Sequence, residues 1–147
     1  MKIVLSESQY QRLIESKEEK VFNLPSLDFF DYDPFEAWKI IQKIIDKKGN
    51  PPYSINGDLY LRGIPIESLG NLQSVDGYLY LEDTPIKSLG NLQSVGGTLD
   101  LRRTPIESLG NLQSVGGYLD LEGTPLSKMY NEKQIRKILN VEGDIYL

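Results

Sequence analysis

Asp100 and Asp120 are the residues whose type and spacing come closest to chemistry in a chain of 147 residues with no histidine and no cysteine. Without imidazole or thiol, the usual nucleophile–base pairs, thiolate reactions and imidazole metal sites have nothing to draw on. The interval between the two aspartates is the period of the sequence itself. From residue 56 to 126 it reads NGDLYLRGIPIESLGNLQSV, DGYLYLEDTPIKSLGNLQSV, GGTLDLRRTPIESLGNLQSV and then GGYLDLEGTPL, where the copy breaks off. A fixed period near twenty residues predicts stacked units, each burying its apolar face only against its neighbours. With adjacent strands about 4.8 Å apart, residues one period apart form columns on an exposed face.

Three columns result. Asp58, Tyr78, Thr98, Tyr118 and Asp144 make the first, Tyr60, Tyr80, Asp100, Asp120 and Tyr146 the second, and Arg62, Glu82, Arg102 and Glu122 the third. The third alternates in sign at every step, a favourable cross-strand arrangement. In the second, Asp100 and Asp120 are stacked like charges, which destabilise a strand face unless a cation, an arginine or a partner's basic group lies over them. Carboxyl groups about 5 Å apart suit a retaining glycosidase, and a weak Ca²⁺ site is a second use of such a pair. An open strand face offers no pocket to raise one pKa, however, and Arg102 and Arg103 follow closely enough to neutralise the pair. The preferred reading is an arginine-screened pair, with no catalytic residue, metal or cofactor assigned.

The tyrosines Tyr60, Tyr78, Tyr80, Tyr118 and Tyr146 carry more information. They lie opposite the leucines, where a bland surface would hold Lys, Glu or Thr. Two readings stand: stacked rings that stabilise a β-surface, or a binding face, since tyrosine offers large amphipathic contact area at low entropic cost. SLGNLQSV recurs letter for letter in three units while the outward strand positions vary, which favours binding. The expected binding residues are therefore these five tyrosines with Asp100 and Asp120.

A short strand must carry the columns, because Leu79 and Leu81 alternate with Tyr78, Tyr80 and Glu82 at period two. Ile86, Leu89, Leu92 and Val95 return the chain through the core on an extended or tightly turned arm, since Pro85 and Gly90-Asn91 stop a continuous helix. The pair Gly96-Gly97 is expected to turn the next corner with backbone angles that a side chain penalises. The predicted fold class is a repeat β-solenoid with a parallel strand face, non-helical return arms, a helical N-terminal cap and a helix inserted in the last repeat.

Three segments follow. Residues 1–20 form an N-terminal arm: a β-prone run Ile3-Val4-Leu5, a helix over 7–15 opened by Ser6 and Gln9 with Leu5 and Tyr10 as a staple, then a polar linker. Residues 21–55 form a linker and a capping helix. Asp33-Pro34-Phe35-Glu36 starts that helix, Ala37, Trp38, Ile41, Ile44 and Ile45 make its apolar stripe, and Gly49 to Pro52 stop it near Lys48. The stretch LDFFDYDPF, 27–35, either packs over the first repeat or docks elsewhere. Residues 56–147 form the repeats, with a terminal helix over 131–139 opened by a capping box of Asn131 and Gln134. Residues 139–147 overlay 112–121 and make a fifth strand with an open edge, a liability for edge-to-edge association.

The formal charge of −5 sits in the repeats, where nine carboxylates against four basic residues over 56–126 leave −5. Such a field repels phosphate backbones, so no nucleic-acid partner is expected. No apolar run approaches the roughly 18 residues of a membrane span, so no membrane role is expected either. The absence of cysteine and of a secretory opening indicates a cytoplasmic protein.

The spacing Leu72-x-x-Val75-x-Gly77-x-Leu79-x-Leu81-x-x-Thr84-x-Ile86 resembles a leucine-rich repeat in its short bacterial surface-type and receptor-L-type form, over about half the chain. Thr84, Thr104 and Thr124, each followed by proline, stand where many such repeats have asparagine. The opening MKIVLSESQYQRLIE resembles the starts of proteins of large tailed bacteriophages. The leucine-rich resemblance implies a protein-binding scaffold, here with a basic, partly apolar partner. Inhibition of a host protein, in the host cytoplasm, is a natural use for a phage-encoded chain. The alternative is an assembly component that joins copies through the open last strand or the N-terminal arm. The oligomeric expectation is a monomer or a weak homodimer.

Overall fold

The computed structural model describes residue 6 and residues 21–26 and 33–147. The expected strand 3–5, helix 7–15, linker 16–20 and the part of the acidic-aromatic stretch at 27–32 lie outside the described residues. The elements are β1 (Phe22–Pro25), α1 (Pro34–Lys47), β2 (Tyr53–Asn56), β3 (Leu59–Tyr60), β4 (Leu72–Val75), β5 (Leu79–Tyr80), β6 (Ser94–Val95), β7 (Leu99–Asp100), β8 (Ser114–Val115), β9 (Leu119–Asp120), α2 (Pro125–Met129), α3 (Glu132–Ile138), β10 (Asn140–Val141) and β11 (Ile145–Tyr146).

Among the described residues the strands form two parallel sheets, one ordered β1-β2-β4-β6-β8-β10 and the other β11-β9-β7-β5-β3. Each repeat contributes one short strand to each sheet: Leu59, Leu79, Leu99, Leu119 and Ile145 pair in succession, as do Val75, Val95, Val115 and Val141, in a register that matches the period except at the last step, where the inserted helix lengthens the repeat. This arrangement is compatible with a repeat β-solenoid. The second sheet is a correction to the sequence reading, which named one strand per unit and put Gln-Ser-Val in an extended or tightly turned return arm. Two-residue strands with a single buried valine carry too little alternation to be read from pattern alone.

The expected apolar columns meet inside. Leu79 and Leu81, with their equivalents one period away, are fully buried, as are Ile86, Ile106, Leu89 and Leu92. Thr84, Thr104 and Thr124 are buried where asparagine is usual, and each hydroxyl donates to the carbonyl three residues earlier, at 2.7, 2.8 and 2.6 Å. Threonine thus satisfies the turn's backbone inside each repeat, and the side-chain amide link between repeats lies elsewhere, from Asn91 to Asn71 at 2.8 Å.

The double-glycine corners work differently from the expectation. Gly96, Gly97, Gly116 and Gly117 are not among the positive-φ residues. What excludes a side chain is the neighbouring repeat: a Cβ on Gly116 would come 2.1 Å from the Gly96 carbonyl oxygen, and one on Gly117 would come 2.9 Å from the Gly97 carbonyl carbon. Left-handed φ is used instead at Gly70, Gly90 and Gly110, and at Gly63, Asp83, Arg103 and Gly123.

Residues 21–55 hold more than a linker and a helix, because Phe22–Pro25 adds a parallel strand to the first sheet beside β2. Its proline sits on an edge strand, where a missing N–H is tolerated. Helix α1 begins as expected, with the Asp33 carboxylate accepting from the N–H groups of Phe35 and Glu36, both at 3.1 Å, and Pro34 in the first turn. Ala37, Trp38, Ile41 and Ile45 are buried in the same core as the repeats. The helix is also tied down by polar contacts: the Gln42 amide donates to the Tyr53 hydroxyl at 3.1 Å, which donates to the Leu69 carbonyl at 2.7 Å. At the other end, α3 opens on the expected capping box of Asn131 and Gln134. Helix α2 was not expected; Thr124 caps it and Pro125 starts it, in the one copy where the SLGN turn is absent.

Trp38→Ala should lower stability by about 3–5 kcal/mol, the cost of emptying an aromatic core site, and urea denaturation will measure it. Burial pushes the Tyr53 phenol up from 10.0 to about 12. The folded chain therefore holds that proton more tightly than the unfolded one, so the stability from this group is full below pH 10 and is lost as pH rises toward 12. Ultraviolet titration should show one tyrosine ionising last, and Tyr53→Phe should remove that late step.

Candidate functional site

Strands β3, β5, β7, β9 and β11 are two residues long, so their outward surface is set by the residues on either side of one buried apolar side chain. Tyr60, Tyr78, Tyr118 and Tyr146 are 43, 45, 38 and 41% exposed there, and Tyr80 is half-buried among them. The rings are ordered against one another. Tyr60 stacks on Tyr80 with centroids 5.0 Å apart and planes 8° from parallel, and Tyr78 meets Tyr80 edge-on at 5.9 Å. Tyr118 and Tyr146 form a second edge-on pair at 5.5 Å. Asp58 accepts from the Tyr60 hydroxyl at 3.2 Å and from the Tyr78 N–H at 2.8 Å. Partial burial, then the neighbouring phenols, push the Tyr80 hydroxyl's pKa up, and the Asp144 carboxylate does the same for Tyr146.

Between the two aromatic groups the arrangement differs from the expectation. Asp100 and Asp120 do pair across β7 and β9, but they are buried, at 1% and 7% exposure, and are not surface acids. Arg102 covers them. Its Nε lies 3.0 and 3.1 Å from the two Asp100 oxygens, its second guanidinium nitrogen 2.7 Å from Oδ2, and its backbone N–H also donates to Asp100 at 3.0 Å. The same Nε is 3.6 Å from Asp120, whose other oxygen accepts from the Glu122 N–H at 3.1 Å. Arg102 follows Asp100 by two residues, so it lies on the same side of the chain and its side chain folds back onto that carboxylate.

Arg103 does not join this pair. It turns back one repeat and grips Asp83 at 2.8 and 3.0 Å, which holds the Asp83 carboxyl below its usual range. The alternating column forms only in part. Glu82 pairs with Arg62 at 3.2 Å, with Arg102 at 3.2 Å and with Arg103, whereas Arg102 and Glu122 do not pair. The pairs with Arg62 and Arg102 are those the alternating column led one to expect, whereas the burial of Glu82 and the third contact, from Arg103, were not foreseen. Among the described residues no cluster of three or more acidic side chains is arranged to hold a metal ion, and no helix is long and apolar enough to cross a membrane.

Asp100 is saturated with donors, whereas Asp120 is not. Burial pushes the Asp120 carboxyl up, and the charges of Glu122 and Asp100 add to this. A raised carboxyl contributes stability that is full below the ordinary carboxylate range and is lost as pH rises through the raised value. Opposite effects at pH 7 are expected from the two amide substitutions. Asp100→Asn should cost about 1–3 kcal/mol by leaving Arg102 without its main partner, while Asp120→Asn should be neutral or stabilising. Paired thermal melts at pH 7 check both signs. No known protein family, curated protein or solved structure matches the chain, so these residues stand on geometry alone.

Proposed function

We propose that the chain is a non-enzymatic protein-binding scaffold built as a leucine-rich-repeat-like solenoid over residues 56–147, with β1 and α1 covering its first repeat. The binding surface is the tyrosine face of the five-stranded sheet. The observation that carries this reading is the pair of pre-packed aromatic groups, Tyr60–Tyr80–Tyr78 and Tyr118–Tyr146, exposed on either side of the Arg102-covered aspartates. Rings already held by stacking lose little freedom when a partner covers them, so contact area converts to affinity efficiently.

The partner is a protein with a basic, partly apolar patch. The outward strand positions and the turns after them carry seven carboxylates (Asp58, Glu82, Asp83, Asp100, Asp120, Glu122 and Asp144) against three arginines (Arg62, Arg102 and Arg103), which leaves −4. Because Asp100 and Asp120 are buried and held by Arg102, they act on a partner through this field and through the shape of the arginine, and the direct contacts fall to the tyrosines. A cytoplasmic setting and a phage-encoded role as an inhibitor of a host protein extend this proposal from the sequence resemblances.

The experiment is co-purification from a bacterial lysate, followed by titration of the captured protein. Tyr78→Ala and Tyr118→Ala should each weaken affinity by about 2 kcal/mol or more with little change in melting temperature, and binding should weaken as salt rises. Lys87→Ala and Gln93→Ala, away from this face, should bind as the parent does. If those two abolish binding while the tyrosine variants bind normally, the face is wrongly assigned.

A further inference from the structure

Parallel pairing leaves each repeat with carbonyls that point toward the next. On the six-stranded sheet the carbonyls of Ile55, Val75, Val95 and Val115 accept from the N–H groups of Asp76, Gly96, Gly116 and Glu142, at 3.0, 2.8, 2.8 and 3.0 Å. At the adjoining corner those of Gly57, Gly77, Gly97 and Gly117 accept from Gly77, Gly97, Gly117 and Gly143, at 3.0, 2.9, 2.9 and 2.9 Å. The next members of the two series are Val141 and Gly143. Both are already taken: one terminal nitrogen of the Arg136 guanidinium donates to the Val141 carbonyl at 2.7 Å and the other to the Gly143 carbonyl at 2.8 Å. Its Nε donates to Glu132 one helical turn earlier, at 3.0 Å, which sets the side chain's direction.

We propose that Arg136 closes this edge by standing in for the two backbone N–H groups of a further repeat, and that without it the edge becomes a surface for a second copy of this chain. An unpaired parallel edge is a template for another strand. Here an incoming strand must strip a guanidinium from two carbonyls and then bury or displace its charge, which opposes association. The helix inserted in the last repeat acquires a purpose: α3 replaces the extended arm of the earlier repeats and brings an arginine to a place no arm residue occupies.

The test is sedimentation velocity of the full chain over a concentration series, with circular dichroism on the same samples. The parent protein and Lys87→Ala, which removes an exposed positive charge from the arm of an earlier repeat, should sediment unchanged across the series. Arg136→Ala should keep its fold and grow with concentration to about twice the parent mass or more. Arg136→Lys, whose single ammonium cannot reproduce the guanidinium's fork, should show a smaller rise. If Arg136→Ala loses its fold, Arg136→Lys decides by the same readout. A folded Arg136 variant that sediments like the parent overturns the proposal, and so does a parent protein that itself grows with concentration.

Discussion

Backbone pairing between residues one period apart is the constraint on which the rest of this structure depends. Strands of two residues are too short to hold by their own hydrogen bonds, and they persist because every repeat presents both strands to its neighbours in unbroken register. The register requires the backbones to meet closely at the corner between the sheets. A Cβ on Gly96 would lie 2.0 Å from the Asp76 carbonyl oxygen, so at this repeat glycine is set by the approach of the neighbouring backbone, independent of dihedral preference. Once the corners meet, the leucine, isoleucine and valine columns coincide, and each repeat covers its neighbour's apolar face.

The same stacking decides the electrostatics. Pairing in register puts Asp100 on Asp120 and Glu82 between Arg62 and Arg102, with no freedom to slip, since a one-residue shift would turn the buried leucines outward. The charges are accommodated by covering them: Arg102 serves Asp100, Asp120 and Glu82 together. The shared carboxylates in turn hold the guanidinium protonated well beyond its ordinary value. The rings of Tyr60, Tyr78, Tyr118 and Tyr146 remain exposed on that sheet.

The two ends of the repeat array meet the problem of unpaired neighbours in different ways. On the N-terminal side, α1 lays Trp38, Ile41 and Ile45 into the shared core while β1 pairs with β2. At the last repeat a single side chain on α3 occupies the carbonyls that earlier repeats use for pairing. A helix in one repeat and extended arms in the others is therefore a difference in how edges are satisfied.

By itself the sequence determined the features that depend on local pattern: the twenty-residue period, the buried columns headed by Leu79 and Leu81, the helix starts at Asp33 and Asn131, and the outward tyrosines. These follow from spacing along one stretch of chain, where side-chain direction and capping chemistry are set by near neighbours. Tertiary structure alone decided what depends on distances between repeats. It paired the Gln-Ser-Val segments and Phe22–Pro25 into a second sheet, buried Asp100, Asp120 and Glu82 beneath arginines, sent Arg103 back to Asp83, and brought Arg136 to the carbonyls of Val141 and Gly143. Sequence showed which residues share a column, but the reach of an arginine side chain across columns is fixed only when neighbouring repeats lie at strand spacing and water is excluded between them.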